Sequence, residues 1–151
     1  MIPPIIDPID VALLKKELNE KTFLRNTNRG NNEIYVVNND CAPNVLREIG
    51  RLREWAFRES GGGTGKSIDI DEFDTRDEAY FEQLIVWDPD NEKILGGYRY
   101  IYGTDIKIDE KGQPVLATSH MFNFSEKFVK EYLPHTIELG RSFVAPEYQS
   151  R

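Results

Sequence analysis

Cysteine and long apolar runs are both scarce in this sequence, and each absence limits what the protein can be. Cys41 is the one cysteine among 151 residues, so a single chain can form neither an internal disulfide nor a metal site built from several cysteines. No stretch is apolar over the roughly 20 residues that a transmembrane helix needs, so any membrane contact would be peripheral. Because no signal-peptide pattern opens the chain, we expect a cytoplasmic protein.

Positive charge is also in short supply. The sequence has 19 Lys and Arg residues against 26 Asp and Glu residues, a net charge of −7. Proteins that bind nucleic-acid backbones usually carry an excess of positive charge, so we expect no nucleic-acid partner. A local basic surface is still possible, because Arg47, Arg51 and Arg58 lie on one predicted helix.

The composition that remains is that of a globular protein. The chain is 39% hydrophobic and 30% charged, and its length suits about one domain with a real core. The segment Asp7–Asp10 predicts the start of a short helix, with a capping residue, a proline at the first helical position and an acid in the first turn. We therefore divide the chain into an N-terminal arm and helix, residues 1–32, and a main domain, residues 33–151.

The main domain alternates strands and helices. Residues 33–37 are typical of a strand, and a helix that starts at Pro43 carries apolar residues on one face, namely Val45, Ile49, Leu52 and Ala56. Two β-forming runs flank the turn sequence at 88–91 and predict an antiparallel hairpin. A short helix over residues 126–132 and a last strand follow. We predict an α/β (α+β) fold with a mixed, largely antiparallel sheet flanked by helices.

The last predicted strand carries charge in its middle. Glu138 and Arg141 interrupt an apolar run, with Gly140 between them. A glycine inside a strand often marks a bulge, and buried charges are costly unless they are paired or used. Two interpretations stay open: a structural ion pair beside a bulge, or a catalytic or ligand-orienting pair at an opening in the sheet.

Two loops resemble ligand-binding motifs and fall short of them. The glycine-rich segment 61–67 lacks the first glycine of a phosphate loop, and a helix precedes it where a strand is required, so we predict a surface loop. The acidic segment 69–74 lacks the glycine and the final glutamate of a calcium loop. We therefore predict no metal site and a solvated acidic loop, in which Asp71 or Asp74 can have a functional use.

Four segments nevertheless match one known family in the right order: Leu52–Glu59, Asp71–Asp74, Ile94–Arg99 and Glu138–Ser142. They are similar to that family's Arg-x-x-x-Phe, Asp-Glu-Phe-Asp, Val-x-Gly-x-x-Arg and Glu-Leu-Gly-Arg-Ser motifs. The chain thus resembles the GNAT-type acyltransferases over roughly residues 33–151. It resembles most the branch labelled hemolysin that makes ornithine and glycine lipids, which is related in fold to acyl-homoserine-lactone synthases.

The resemblance implies that an acyl group moves from a thioester to an amine. The donor would be acyl carrier protein or coenzyme A as co-substrate, with no bound cofactor, and the acceptor an amino-acid or lipid amine. The protein would work in the cytoplasm, in peripheral contact with the inner face of the membrane. Two alternatives stay open: an acyltransferase that acts on another amine, and a non-catalytic domain that docks acyl carrier protein or a membrane through the helix surface of Arg47, Arg51 and Arg58.

The resemblance also assigns roles to residues. Glu138 is the expected base, and Arg141 is the second catalytic residue, which orients Glu138 or binds a substrate carboxylate. The expected substrate-binding residues are Arg53, Phe57, Asp71, Asp74 and Arg99. For Arg53 and Asp74, an ion pair that fixes the acidic loop to the helix is the alternative.

The donor is expected at the end of the charged strand. Phe143 and Val144 would contact it, and backbone N–H groups near Gly140 would stabilise the oxyanion. GNAT folds continue after this strand with a loop and a helix that hold the donor's phosphates. The sequence ends at Arg151, where that loop should start, so we expect a sheet that stops after its fourth strand and a fragment that is inactive alone.

Overall fold

The sheet is a five-stranded antiparallel meander. In the computed structural model, which describes residues 1–149, the strands lie side by side in chain order. Each pairs antiparallel with the next. They are β1 (Phe23–Asn26), β2 (Glu33–Val37), β3 (Glu82–Asp88), β4 (Lys93–Tyr102) and β5 (Ile137–Val144). A largely antiparallel sheet combined with helices is confirmed.

Three α-helices accompany the sheet: α1 (Val11–Glu17), α2 (Pro43–Glu59) and α3 (Glu72–Thr75). The Asp10 side chain caps α1 by accepting a 2.8 Å hydrogen bond from the Ala12 N–H. Helix α2 begins at its proline, which suits a first helical position because that N–H has no helical partner. All four residues of its predicted apolar face are buried, which confirms the periodicity.

The core consists of two apolar clusters on one face of the sheet. The first joins residues of α1 and α2 to the strands, and the second surrounds Phe73, Phe81 and Ile101. Between them the inward residue is polar on both central strands: Gln83 on β3 and Arg99 on β4 are each buried. The polar residues of the candidate site therefore lie between two apolar regions.

Strand β5 differs from the buried strand that its apolar residues suggested. Only Phe143 is buried, while Ile137, Leu139 and Val144 are 50%, 61% and 48% exposed. Leu139 pairs with Tyr100 and Ile137 with Tyr102, and paired residues of neighbouring strands share a face. These side chains thus lie on the sheet face opposite the two core clusters.

The strand count and one helix also differ from the prediction. The sheet has five strands where four were predicted, because β1, at the edge opposite β5, includes the polar residues Arg25 and Asn26, which gave no strand signal. The predicted helix at residues 126–132 is mostly a single π-helical turn, Phe128–Tyr132. Within residues 1–149, no helix is long and apolar enough to span a bilayer.

Candidate active site

A β-bulge lies where the sequence placed the irregularity. Gly97 pairs with Phe143 and Arg99 pairs with Gly140, so that Tyr98 alone faces both Arg141 and Ser142. The residue with left-handed backbone is Arg141, at φ 52°. Non-glycine residues adopt this conformation at a cost. The bulge is confirmed, but the strain lies one residue after the glycine.

Glu138 and Arg141 do not contact each other, so the structural ion pair, one of the two interpretations left open, is wrong. The Arg141 Nε lies 3.2 Å from the Asp69 Oδ2, and its Nη2 lies 3.5 Å from the Asp71 Oδ2. The Glu138 Oε1 accepts a 3.3 Å hydrogen bond from the Thr118 N–H, and its Oε2 is buried without a hydrogen-bond partner. In the described part of the chain, no arginine forms an ion pair with Glu138.

Arg99 is held by two aspartates. It donates to both oxygens of Asp71, at 2.6 and 2.9 Å, and its Nη1 lies 3.0 Å from the Asp74 Oδ2. The guanidinium carbon also lies 4.8 Å from the centre of the Phe81 ring. Burial by itself lowers the pKa of Arg99, but the hydrogen bonds that it donates to Asp71 and the charge of Asp74 outweigh this effect, so its pKa is raised.

Arg53 and Asp74 form a fully buried pair between α2 and the acidic loop. The Arg53 Nη1 lies 3.2 Å from the Asp74 Oδ2, with both side chains 0% exposed. Gln83 completes the group, because its amide donates to Asp74 at 2.9 Å and its oxygen accepts from Arg53. The arrangement matches the ion pair proposed as the structural alternative, and it makes the acidic loop a buried part of the fold.

The pKa values of Asp71 and Asp69 are shifted in opposite directions in this network. Burial would raise the pKa of Asp71, but its hydrogen bonds from Arg99 outweigh this, and its pKa is lowered. Burial raises the pKa of Asp69, and the positive charges of Arg141 and Arg53 offset only part of the effect. The ionised form of Asp69 is therefore the poorly stabilised one.

The glycine-rich loop binds a carboxylate of its own helix. The buried Glu54 accepts hydrogen bonds from the Thr64 N–H, the Thr64 hydroxyl and the Gly65 N–H at 2.9, 2.6 and 3.1 Å. Arg58 donates to the same carboxylate at 2.8 Å. The N–H groups that suggested a phosphate site thus surround Glu54, which agrees with the prediction against a nucleotide loop.

The predicted donor residues line an apolar cleft of about 510 Å³ on β3, β4 and β5. Phe143 and Val144 form part of its wall, beside Ser142 of the bulge. Phe57 packs against the first core cluster. The structure therefore brings Arg53, Asp71, Asp74, Arg99 and Arg141 together, and it places Glu138 and the donor residues along the same strand.

Sequence reasoning missed Asp69 and Gln83 as members of this network. Gln83 had a recognisable signal, since it stands at an inward strand position between Phe81 and Ile85. Asp69 had none, because an acidic run gives no indication of which carboxylate is buried. Among the described residues, no group of three or more His, Cys, Asp or Glu is placed to hold a metal ion.

Comparison with known proteins identifies the family. The family described as "Acetyltransferase (GNAT) domain" matches residues 52–151. The chain belongs to this GNAT family. A glycine N(alpha)-acyltransferase of Bacteroides thetaiotaomicron is 64% identical over 146 residues, 97% of this chain and 43% of that protein. One of Phocaeicola vulgatus, with the same name, is 62% identical over 97% of this chain and 44% of its own length.

The GNAT chain therefore spans less than half the length of the curated relatives it matches. No solved structure is significantly similar to it.

Proposed function

We propose that the protein is an N-acyltransferase that moves a fatty acyl group from a thioester to the amine of a small amino acid, with glycine as the acceptor. The observation that carries this proposal is the buried, unpartnered Oε2 of Glu138 on the strand that contains the β-bulge. The names of the two relatives support the same reaction. The product would be an amino-acid lipid of the glycine- or ornithine-lipid type.

Glu138 supplies the base in this proposal. An amino acid in neutral solution carries an ammonium group, which must lose a proton before its nitrogen can attack. The free Oε2 of Glu138 accepts that proton directly or through a water molecule. The neutral nitrogen then bonds to the thioester carbon, and the tetrahedral intermediate collapses with cleavage of the C–S bond. The extra proton on its nitrogen passes to the leaving thiolate, and Glu138 releases its own proton to solvent.

The bulge supplies the second requirement, which is stabilisation of the oxyanion. A bulge leaves backbone groups of one strand outside the ladder, and N–H groups fixed in position stabilise negative charge as it forms. The extra residue lies at Arg141 and Ser142, next to the cleft that Phe143 and Val144 line. The apolar cleft suits the acyl or pantetheine part of the donor.

The donor in this proposal is an acyl carrier protein thioester or a coenzyme A thioester. The surface of α2, which its sequence suggested as a basic docking face, carries less free positive charge than its arginines imply. Arg51 binds Glu48 and Arg58 binds Glu54, which leaves Arg47 as the exposed arginine of the three. We also propose that the protein belongs to the lipid-forming branch of the family, which is related to acyl-homoserine-lactone synthases, and that it acts at the inner face of the membrane.

The test is turnover by the protein at its natural length. It is mixed with a long-chain acyl carrier protein thioester, or the coenzyme A thioester, and a panel of amino acids and monoacylated amines, and mass spectrometry detects new amides. Glu138→Gln should lower kcat by about 10²–10⁴-fold while donor binding is kept. Glu126→Gln, an exposed glutamate, is the matched control.

The outcomes separate the classes of function. An acyl-glycine that depends on Glu138 supports the proposal, and an amide with another amine corrects the acceptor. Donor binding without any amide favours a docking domain. An amide formed equally well by Glu138→Gln overturns the role of Glu138.

A further inference from the structure

Asp69 is a buried carboxylate whose bonding capacity is largely unused. It is 2% exposed, and within the described residues its side chain accepts no hydrogen bond with good geometry, although the Arg141 Nε lies 3.2 Å from its Oδ2. A buried ionised carboxylate is costly without hydrogen bonds. Asp69 is thus poorly satisfied in this structure and suited to a cationic partner.

Its neighbours in the same loop have no such capacity. Both oxygens of Asp74 accept hydrogen bonds, from Arg53, Gln83 and the Asp71 N–H. Both oxygens of Asp71 accept from Arg99. A ligand that bound either of these aspartates would have to break strong contacts, whereas a ligand at Asp69 would replace only the contact with Arg141.

Arg141 is the loosest arginine of the network. Its side chain is 38% exposed, against 2% for Arg99 and 0% for Arg53. Its contacts with the aspartates are 3.2 and 3.5 Å long, which is long for charge-assisted hydrogen bonds. Its left-handed backbone on the bulge places this arginine three residues from Glu138 on β5.

We propose that Asp69 and Arg141 form the binding site for the amino-acid acceptor, in which Asp69 holds the ammonium group and Arg141 holds the carboxylate. This inference rests on the proposed function. An α-amino acid carries the same two charges as the Asp69–Arg141 pair, so its entry replaces one ion pair by two and leaves no buried charge uncompensated. The planar guanidinium suits a carboxylate, which it binds through two parallel hydrogen bonds.

The site also fits the reaction. The ammonium group held by Asp69 is the group that loses a proton to Glu138, and the strand that carries Arg141 and Glu138 is the strand that bounds the donor cleft. An amine without a carboxylate could use only half of this site.

The experiment compares glycine with glycinamide, which keeps the amine and lacks the negative charge. In the natural-length protein we expect a preference for glycine of at least 100-fold in kcat/KM. Arg141→Ala should reduce this preference to below about 10-fold, because kcat/KM falls for glycine and stays unchanged for glycinamide. Asp69→Asn should raise KM for glycine by at least 10-fold with the KM for the donor unchanged.

Asp77→Asn, an exposed aspartate of the same segment, is the control and should change nothing. A structural role for Asp69 or Arg141 would impair glycine and glycinamide equally, or raise KM for the donor, and either result overturns the inference. If the protein formed no amide, the proposed function would fail separately. Calorimetry with glycine would then decide: binding that Asp69→Asn abolishes supports the site, and no binding overturns it.

Discussion

Asp69 and Asp74 lie in the same acidic loop and are equally buried, at 2% and 1% exposure, yet their surroundings are opposite. Asp74 accepts hydrogen bonds on both oxygens and contacts two buried arginines. Asp69 faces a single half-exposed arginine at the edge of the sheet. Burial alone therefore says little about what a carboxylate does in this fold.

The difference separates a structural centre from what we propose is the reactive edge of the site. The structural centre is Arg53, Asp74 and Gln83, where both oxygens of Asp74 accept hydrogen bonds, although the buried Arg53 Nε has no partner among the described residues. The reactive edge is Asp69, Glu138 and Arg141, where two buried carboxylate oxygens lack hydrogen bonds and one backbone is strained. Unsatisfied polar groups and strain are costly, and where they meet at one site they support the proposal of a function there.

Removing Asp74 should cause the largest loss of stability. Asp74→Ala leaves Arg53 and Arg99 buried with reduced compensation, and breaking a buried pair in this way costs about 3–5 kcal/mol. Urea unfolding of the natural-length protein measures the loss. Asp77→Ala in the same segment is the control, and a loss below about 1 kcal/mol for Asp74→Ala would contradict a structural centre.

Glu54 extends the comparison to a second satisfied carboxylate. Glu54→Gln replaces the carboxylate by an amide group that faces the donors of Thr64, Gly65 and Arg58. Because an unsatisfied buried donor costs about 1–3 kcal/mol, the free energy of unfolding should fall by about that amount. Burial raises the pKa of Glu54, but the hydrogen bonds from Thr64 and Arg58 outweigh it and lower that pKa.

The lowered pKa gives the Glu54 effect a pH dependence. Its stabilisation is full above the pKa of an unfolded glutamate and is lost as the pH falls through the folded-state pKa. Urea unfolding between pH 3 and pH 7 should therefore show the variant's deficit shrinking on acidification. A deficit that stayed constant over this range would contradict the assignment, and the exposed Glu59→Gln one turn later serves as reference.

Strain at the bulge is measured by two variants of Arg141. Arg141→Ala and Arg141→Gly both remove the contacts with Asp69, but only glycine relieves the left-handed backbone. Arg141→Gly should therefore be the more stable of the two by about 1–2 kcal/mol. Equal thermal unfolding midpoints for the two variants would mean that the left-handed backbone at this position is not strained.

Asp69→Asn should have the smallest effect on stability, and it should be stabilising at neutral pH. Burial raises the pKa of Asp69, so the folded protein loses stability as the pH rises from the unfolded-state pKa through the folded-state pKa. The variant lacks this loss, so its free energy of unfolding at pH 7 should exceed that of the wild type by less than about 1 kcal/mol. The difference should vanish at a pH below both pKa values, and a variant less stable than wild type at pH 7 would place Asp69 in the structural centre.

Local signals in the sequence predicted a large part of this structure. The apolar period of α2 and the turn sequence of the β3–β4 hairpin each act over a few residues, and both elements formed as predicted. Gly140 marked the bulge to within one residue. The same signals failed for β1, where the polar sequence hid a strand that β2 stabilises by pairing. They also failed for Ile137 and Leu139, whose apolar character did not reveal that they lie on the sheet face opposite the core clusters.

The sequence by itself determined which charged residues lie in strands and in the acidic loop, and therefore which residue types the site contains. Only the tertiary structure decided which carboxylate meets which arginine. Arg53 and Asp74 are 21 positions apart, and Arg99 and Asp71 are 28 apart, so no local pattern encodes the pairing. The packing of α2, the loop and β4 satisfies Asp74 completely, while among the described residues one oxygen each of Asp69 and Glu138 is left without a hydrogen-bond partner.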